Sequence, residues 1–407
     1  MIIRLLSIGL VAIPFLELIV YGLLPAQVDY ADTRIPKEFL SIFFCFAIIF
    51  LKIINGGLKI PTKNIFLILF LPWMFISLMH APNFGMTISD LDITGFWNFK
   101  PMLYVFIYFM LFSAIVDEEW TRFKIHDVVS IISHCGLAMA LWAVTQRFGF
   151  DQVFFASTEN VMTGSLGRAD IMGCFLATCL PASLYFKRWW HVAFTVFVIA
   201  FSNSEMSMAS AVVCSAVYFL AHRKRVVIGI GIVLLMFFAV VTKLEWDNSR
   251  YIDSKISKFA SGRIAVWRQS VEDITGPVFN TSRRTFFMTG MGPGAYRYIF
   301  PIRHPKMMLW KQAHNEYLEV LYNYGFGGLC FFMAAIGFMV WKVWRLLDFK
   351  KIRVFLAIFS ALAVGSFGTF LWQLAPFQYL TVICVGILHF YIQRRSIGDS
   401  QSVNITV

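Results

Sequence analysis

Apolar residues in this chain run on in long stretches, and polar residues are gathered between them. Segments of about 20 mostly apolar residues are long enough to cross a bilayer as helix. Such segments occur at 5–25, 38–54, 65–81, 101–117, 127–146, 169–186, 190–203, 207–221, 226–242, 316–341, 354–372 and 376–393. They predict an all-α, polytopic membrane protein of about twelve transmembrane helices. One long polar stretch, from Leu244 to His314, interrupts the series. The pattern divides the chain into 1–243 with nine spans, a loop over 244–314, and 315–407 with three spans and a short polar tail from Ser396. The first span is expected to be retained, because its apolar core is long and no small-residue cleavage site follows it.

Composition agrees: 58% of the residues are hydrophobic, 17% aromatic and 14% charged, against about 25% charged in an average soluble domain. The formal charge of +12 would suggest nucleic acid in a soluble protein. Here the cations flank apolar spans, where orienting helices explains them, and no nucleic acid is expected. With a cytoplasmic N-terminus, the inside segments hold 18 Lys and Arg and the short outside segments hold five: Arg34, Lys37, Lys100, Arg147 and Arg168. That bias puts both termini on the cytoplasmic side and the 244–314 loop outside. Cys45, Cys135, Cys174, Cys179, Cys214, Cys330 and Cys384 all fall in apolar stretches without metal-ligand spacing, so they are read as packing residues. Glu17, His134 and His389 lie deep in spans. Glu17 is read as a buried hydrogen-bonding acid, with a transport role as the alternative.

The outer loop concentrates the candidate chemistry. Ser261 to Arg268 reads as an amphipathic helix at the membrane surface, with Trp267 as its anchor. Gly290-Met291-Gly292-Pro293-Gly294 reads as a tight turn. A phosphate cradle is the sharper alternative there, but the Lys-Ser/Thr ending of a P-loop is lacking. At the end of the loop Asn315 is a good N-cap, and Glu316 and Glu319 suit the first turn of the helix after it. Gly325, Gly327 and Gly328 each cost about 1 kcal/mol in a helix interior, which predicts a break after 315–324.

His314-Asn315, nine residues, Gly325, two residues and Gly328 resembles the signature that O-antigen ligases have after their large periplasmic loop. Ser261-Gly262-Arg263 with Trp267, and the Gly290–Gly294 turn, are similar to other recurring stretches of the O-antigen ligase and polymerase family. The match is looser elsewhere. Gly164 to Asp170 stands where the family often has a Gly-x-x-x-Asn-Pro-Asn type stretch, and Ser202-Asn203-Ser204-Glu205 stands where many members have Ser or Thr followed by Arg.

The resemblance implies a GT-C-like membrane glycosyltransferase. It would pass a glycan from undecaprenyl diphosphate to a hydroxyl of lipid A-core, or of another glycan acceptor, on the periplasmic face. Catalytic roles then fall to His314 as general base and Arg263 as a clamp on the departing diphosphate. Arg168, Lys100 and Arg147 form a candidate basic collar, and for Lys100 and Arg147 snorkelling to headgroups is the alternative. Asn315, Glu319, Gly325 and Gly328 complete the candidate site. A glycosyl diphosphate already has a good leaving group, so neither metal nor cofactor is expected; Asp90 and Asp92 read as a solvated turn. Two other readings remain: a polymerase extending lipid-linked repeats and, from another class, a polar-lipid transporter or flippase.

Overall fold

The computed structural model describes residues 1–21, 30–55, 65–79, 93–118, 120, 122–148, 166, 168–221, 263–275, 283–304, 312–344, 346, 349–369 and 371–403. Among them there is no strand. The helices are α1 (Ile2–Tyr21), α2 (Tyr30–Ile54), α3 (Ile65–Met79), α4 (Ile93–Val116), α5 (Arg122–Arg147), α6 (Ala169–Tyr185), α7 (Trp189–Phe201) and α8 (Glu205–Leu220). The outer-loop helices α9 (Arg263–Thr275), α10 (Arg283–Thr289) and α11 (Ala295–Arg303) follow, and then α12 (Glu316–Trp344), α13 (Lys350–Gly365) and α14 (Ala375–Val403). Every expected span coincides with a helix except 226–242, which lies outside the described residues. Three stretches, Lys124–Arg147, Glu316–Trp344 and Ala375–Arg394, are by themselves long and apolar enough to cross a membrane. Several shorter helices are equally apolar. The expected tail from Ser396 is helical to Val403: a helix already nucleated adds residues cheaply, and no proline follows to stop it.

Contacts divide the chain into two units that do not follow chain order. One comprises Met1–Lys63, Ile107–His222 and Trp341–Val407. At its centre is α6, whose residues from Ile171 to Leu184 are all buried, as expected of a helix apolar on every side. It packs against α5, α7, α8 and α13. Cysteines fill this interior: the Cys214 thiol donates to the Ala177 carbonyl at 3.4 Å, and Cys174 meets the Ser207 hydroxyl at 3.6 Å. Cys330 departs from the expected packing role, being exposed on α12. His389 is buried with its edge toward Phe112. Glu17 lies in α1, and its side chain is outside the described residues.

The other unit comprises Asn64–Phe106 and Arg223–Val340 and contains the outer loop. Here α3 runs antiparallel to the second half of α12 through ring contacts of Phe66 with Phe338, Phe70 with Phe332 and Trp73 with Phe331. The loop helices build a core of their own from Val266, Ile274, Met291, Ala295, Tyr296, Phe300, Ala313, Leu318 and Tyr322. The described part of the loop therefore has an interior of its own, and that interior fixes the positions of its polar residues.

Candidate functional site

The predicted break in α12 is at Gly325, whose φ of 69° and ψ of −175° lie in a region open essentially only to glycine. The last carbonyls before the break are taken up by neighbours. The Tyr322 carbonyl accepts from the Met291 N–H, and that of Asn323 accepts from the Gly292 N–H, both at 2.9 Å. From α3, the Ser77 hydroxyl also donates to the Asn323 carbonyl at 2.8 Å, and the Trp73 indole donates to the Tyr324 carbonyl at 3.0 Å. The Gly290–Gly294 stretch is thus the backbone partner of the break. Its N–H groups at 290, 291 and 292 are all engaged by carbonyls of the chain, as a chain reversal requires and a phosphate cradle does not. Gly290 and Gly325 pack backbone to backbone, and Gly328 packs on Trp73 and Tyr324. Gly294, with φ of 72°, turns the chain into α11.

His314 sits on the link between the loop and α12 with a left-handed φ of 52°. The peptide before it is gripped at both ends: the Trp267 indole donates to the Ala313 carbonyl at 2.7 Å, and the Ala313 N–H donates to Glu319 Oε2 at 3.3 Å. On its other side Asn315 caps α12, its Oδ1 accepting from the Leu318 N–H at 3.1 Å. Glu319 therefore orients the backbone that presents His314. Trp267 corrects its assignment as a membrane anchor, because its ring packs on the loop core and its N–H is spent on Ala313. The buried stripe of α9 is Val266, Ser270, Asp273 and Ile274, positions that recur at helical spacing. Arg263 is the first residue of α9, one turn and roughly 6 Å of rise before Trp267.

Replacing Trp267 by phenylalanine keeps the apolar ring and removes one hydrogen bond, worth about 0.5–1.5 kcal/mol. The variant is expected to melt within a few degrees of wild type in detergent while glycan transfer falls several-fold. Equal rates for the two proteins would remove the grip on Ala313 from the mechanism.

Of the remaining candidates, Lys100 is in α4 with its side chain outside the described residues, and Arg147 is exposed at the end of α5. Arg168 is met within the chain by Asp170, which accepts two N–H bonds at 3.1 and 3.0 Å. Arg147 and Arg168 belong to the first unit, whereas Arg263, His314, Asn315, Glu319, Gly325 and Gly328 belong to the second. Asp90 and Asp92 lie outside the described residues. Ser204, in the stretch where the family arginine is missing, caps α8 by accepting from the Ser207 N–H.

A second polar cluster was missed in the sequence. The Asp273 carboxylate, 5% exposed, forms an ion pair with Arg303 at 3.2 Å and accepts from His304 Nε2 at 3.0 Å and the Tyr322 hydroxyl at 3.2 Å. This ties α9, α11 and α12 together. Beside it Tyr296 stacks on Phe300 and shares a 2.8 Å hydrogen bond with Ser270. Burial pushes the Tyr296 phenol well above its ordinary pKa, against the smaller opposing effect of Ser270, so it serves as a neutral hydrogen-bonding group. The signal was present in the sequence: Asp273 falls seven residues after Val266 and one before Ile274, on the core stripe, and an acid there requires partners. Asp273→Ala leaves Arg303 buried without its carboxylate and is expected to cost about 3–5 kcal/mol. Limited proteolysis of the membrane-embedded protein should then cut within 263–304, where wild type resists.

No curated protein matches the chain. A family model described as O-Antigen ligase matches residues 190–333, which include α9, the Gly290–Gly294 turn, His314 and the break at Gly325. Over that segment the chain is similar to the O-antigen ligase family.

Proposed function

We propose that the protein is a membrane glycosyltransferase that takes a glycan from undecaprenyl diphosphate and joins it to a hydroxyl of lipid A-core at the periplasmic face. The observation that supports this most is the presentation of His314. Its backbone is held by Trp267, Glu319 and the Asn315 cap, immediately before the helix end that follows the family's large loop. An imidazole titrates near about pH 6.5 when unperturbed, so in its neutral form it can accept the acceptor's hydroxyl proton.

Arg263 is assigned to the departing diphosphate. It lies one turn from Trp267 on the same side of α9, and Trp267 reaches the residue next to His314. Charge-assisted contacts to a leaving diphosphate contribute about 1.5–3 kcal/mol each. As the acceptor oxygen attacks the anomeric carbon, the bond to the diphosphate oxygen breaks. The proton passes to His314 and the electron pair leaves with the diphosphate. Direct displacement inverts the sugar carbon, and the leaving group is good enough that the reading calls for no metal. Lys100, Arg147 and Arg168 stay as candidates for a collar around the donor, Arg168 being already compensated by Asp170.

The deciding experiment has two parts. Deleting the gene should leave lipid A-core without polymer while glycan accumulates on the carrier lipid. Purified protein in liposomes, given lipid-linked glycan and lipid A-core without an energy source, should join the two. A mutant with a single repeat on lipid A-core would indicate a polymerase instead. Movement of glycan across the bilayer without a new covalent bond would indicate a carrier.

A further inference from the structure

In the first unit the α6–α7 connection gathers a cluster of cations and hydroxyls that the proposed glycan transfer does not use. The Arg188 guanidinium lies 4.6 Å over the Phe186 ring and donates to the hydroxyls of Ser133 and Ser130, each at 3.2 Å. Its Nη1 also stands 3.4 Å from His134 Nδ1. The same nitrogen lies 2.8 Å from the Ser130 carbonyl. His191 is 3.5 Å from Ser133, with its ring 5.9 Å from that of His134. His126 makes a T-shaped contact with the same Phe186 ring and meets the acid Asp127 at 3.9 Å. Among the described residues no carboxylate is within ion-pair distance of Arg188 or Lys187.

The backbone favours the same reading. After α6 the Lys187 N–H bonds to the Leu184 carbonyl and the Arg188 N–H to the Ser183 carbonyl, an arrangement that puts residue 187 in the left-handed region, with φ of 56°. Glycine usually occupies this position; here an exposed lysine does. Trp189 and Trp190 follow directly, 59% and 63% exposed. Paired indoles beside cations at a helix end mark the headgroup level of a bilayer.

We infer that Arg188, Lys187 and His134 form a site for the phosphate of an anionic phospholipid such as phosphatidylglycerol, with Trp189 and Trp190 seated beside its glycerol and acyl chains. The fixed guanidinium supplies planar paired donors, Lys187 adds charge, and the lipid phosphate supplies the anionic acceptor that the neutral serine hydroxyls are not. By the Lys/Arg bias the lipid belongs to the cytoplasmic leaflet. The site is independent of the glycosyltransferase reading and stands if that reading fails.

Native mass spectrometry of the full-length protein in detergent, titrated with phosphatidylglycerol and separately with phosphatidylcholine, tests this. Wild type should retain the anionic lipid preferentially, and 10 mM inorganic phosphate, roughly the level of a common buffer, should not displace it. Arg188→Gln should weaken retention about ten-fold and Lys187→Gly about five-fold. Lys187→Gly separates binding from folding, because glycine suits the left-handed position and should raise the melting temperature while lowering lipid affinity. Unchanged phosphatidylglycerol affinity in Lys187→Gly, equal retention of both lipids, or displacement by free phosphate would each overturn the proposal. The last would assign the site to a soluble anion.

Discussion

Protein carrying His314→Ala is expected to reach the membrane at wild-type level and melt close to wild type, yet transfer glycan about 10²–10⁴-fold more slowly, the range a positioned general base contributes. Stability should be nearly unaffected because the grip on this link is made by its neighbours: Trp267 and Glu319 hold Ala313, and Asn315 caps α12. His314 itself is half-buried with a left-handed backbone, so the loss should appear in turnover. Arg263→Gln should lose about 10²–10³-fold, as removal of one electrostatic stabiliser of a developing charge does. A free-energy cycle between the two is informative, because residues that act in one transition state do not add independently. Near-normal transfer by His314→Ala would shift the base role to another group, with Glu319 the first to be examined. Near-normal transfer by Arg263→Gln would leave the diphosphate to other cations.

The second large effect concerns structure. Gly325→Ala is expected to unfold the outer-loop unit in detergent at temperatures where wild type is intact. Its φ and ψ are open essentially only to glycine, which costs about 1–3 kcal/mol for any other residue. A Cβ there would also strike the Met288 carbonyl and the Gly290 nitrogen, and one on Gly290 would strike the backbone of Asn323 and Gly325. Backbone cannot move aside as a side chain can, so the two costs add. Gly337, farther along α12, has open space where a Cβ would go. Gly337→Ala should therefore be neutral or stabilising by up to about 1 kcal/mol, the helix-propensity difference. A Gly325→Ala protein as stable as Gly337→Ala would show that the break can be made another way.

Much of this was legible in the chain. Long apolar runs name the helices because a bilayer leaves an unpaired backbone no alternative, and among the described residues helices α1 to α8 and α12 to α14 overlap those runs. The glycines at 325, 327 and 328 announced a break in α12. Asn315 followed three residues later by a backbone N–H in need of an acceptor announced its cap. What misled was partnership. Trp267 looked like an anchor in lipid because indoles are common at interfaces, but its N–H is spent on the Ala313 carbonyl. For Arg168 the pattern did not announce its ion pair with Asp170, two residues on.

The sequence by itself determined that this is a helical membrane protein with one long polar loop, and it singled out His314 and Arg263 as candidates, because hydropathy and residue chemistry are local properties. Only the tertiary structure decided that the glycines at 290 and 325 are a matched pair, that Asp273 holds Arg303, His304 and Tyr322, and that Trp267 and Glu319 grip one peptide between them. These are contacts between residues many positions apart. They exist because buried polar groups must find partners wherever the packed helices bring them, and no local pattern encodes which partner that will be.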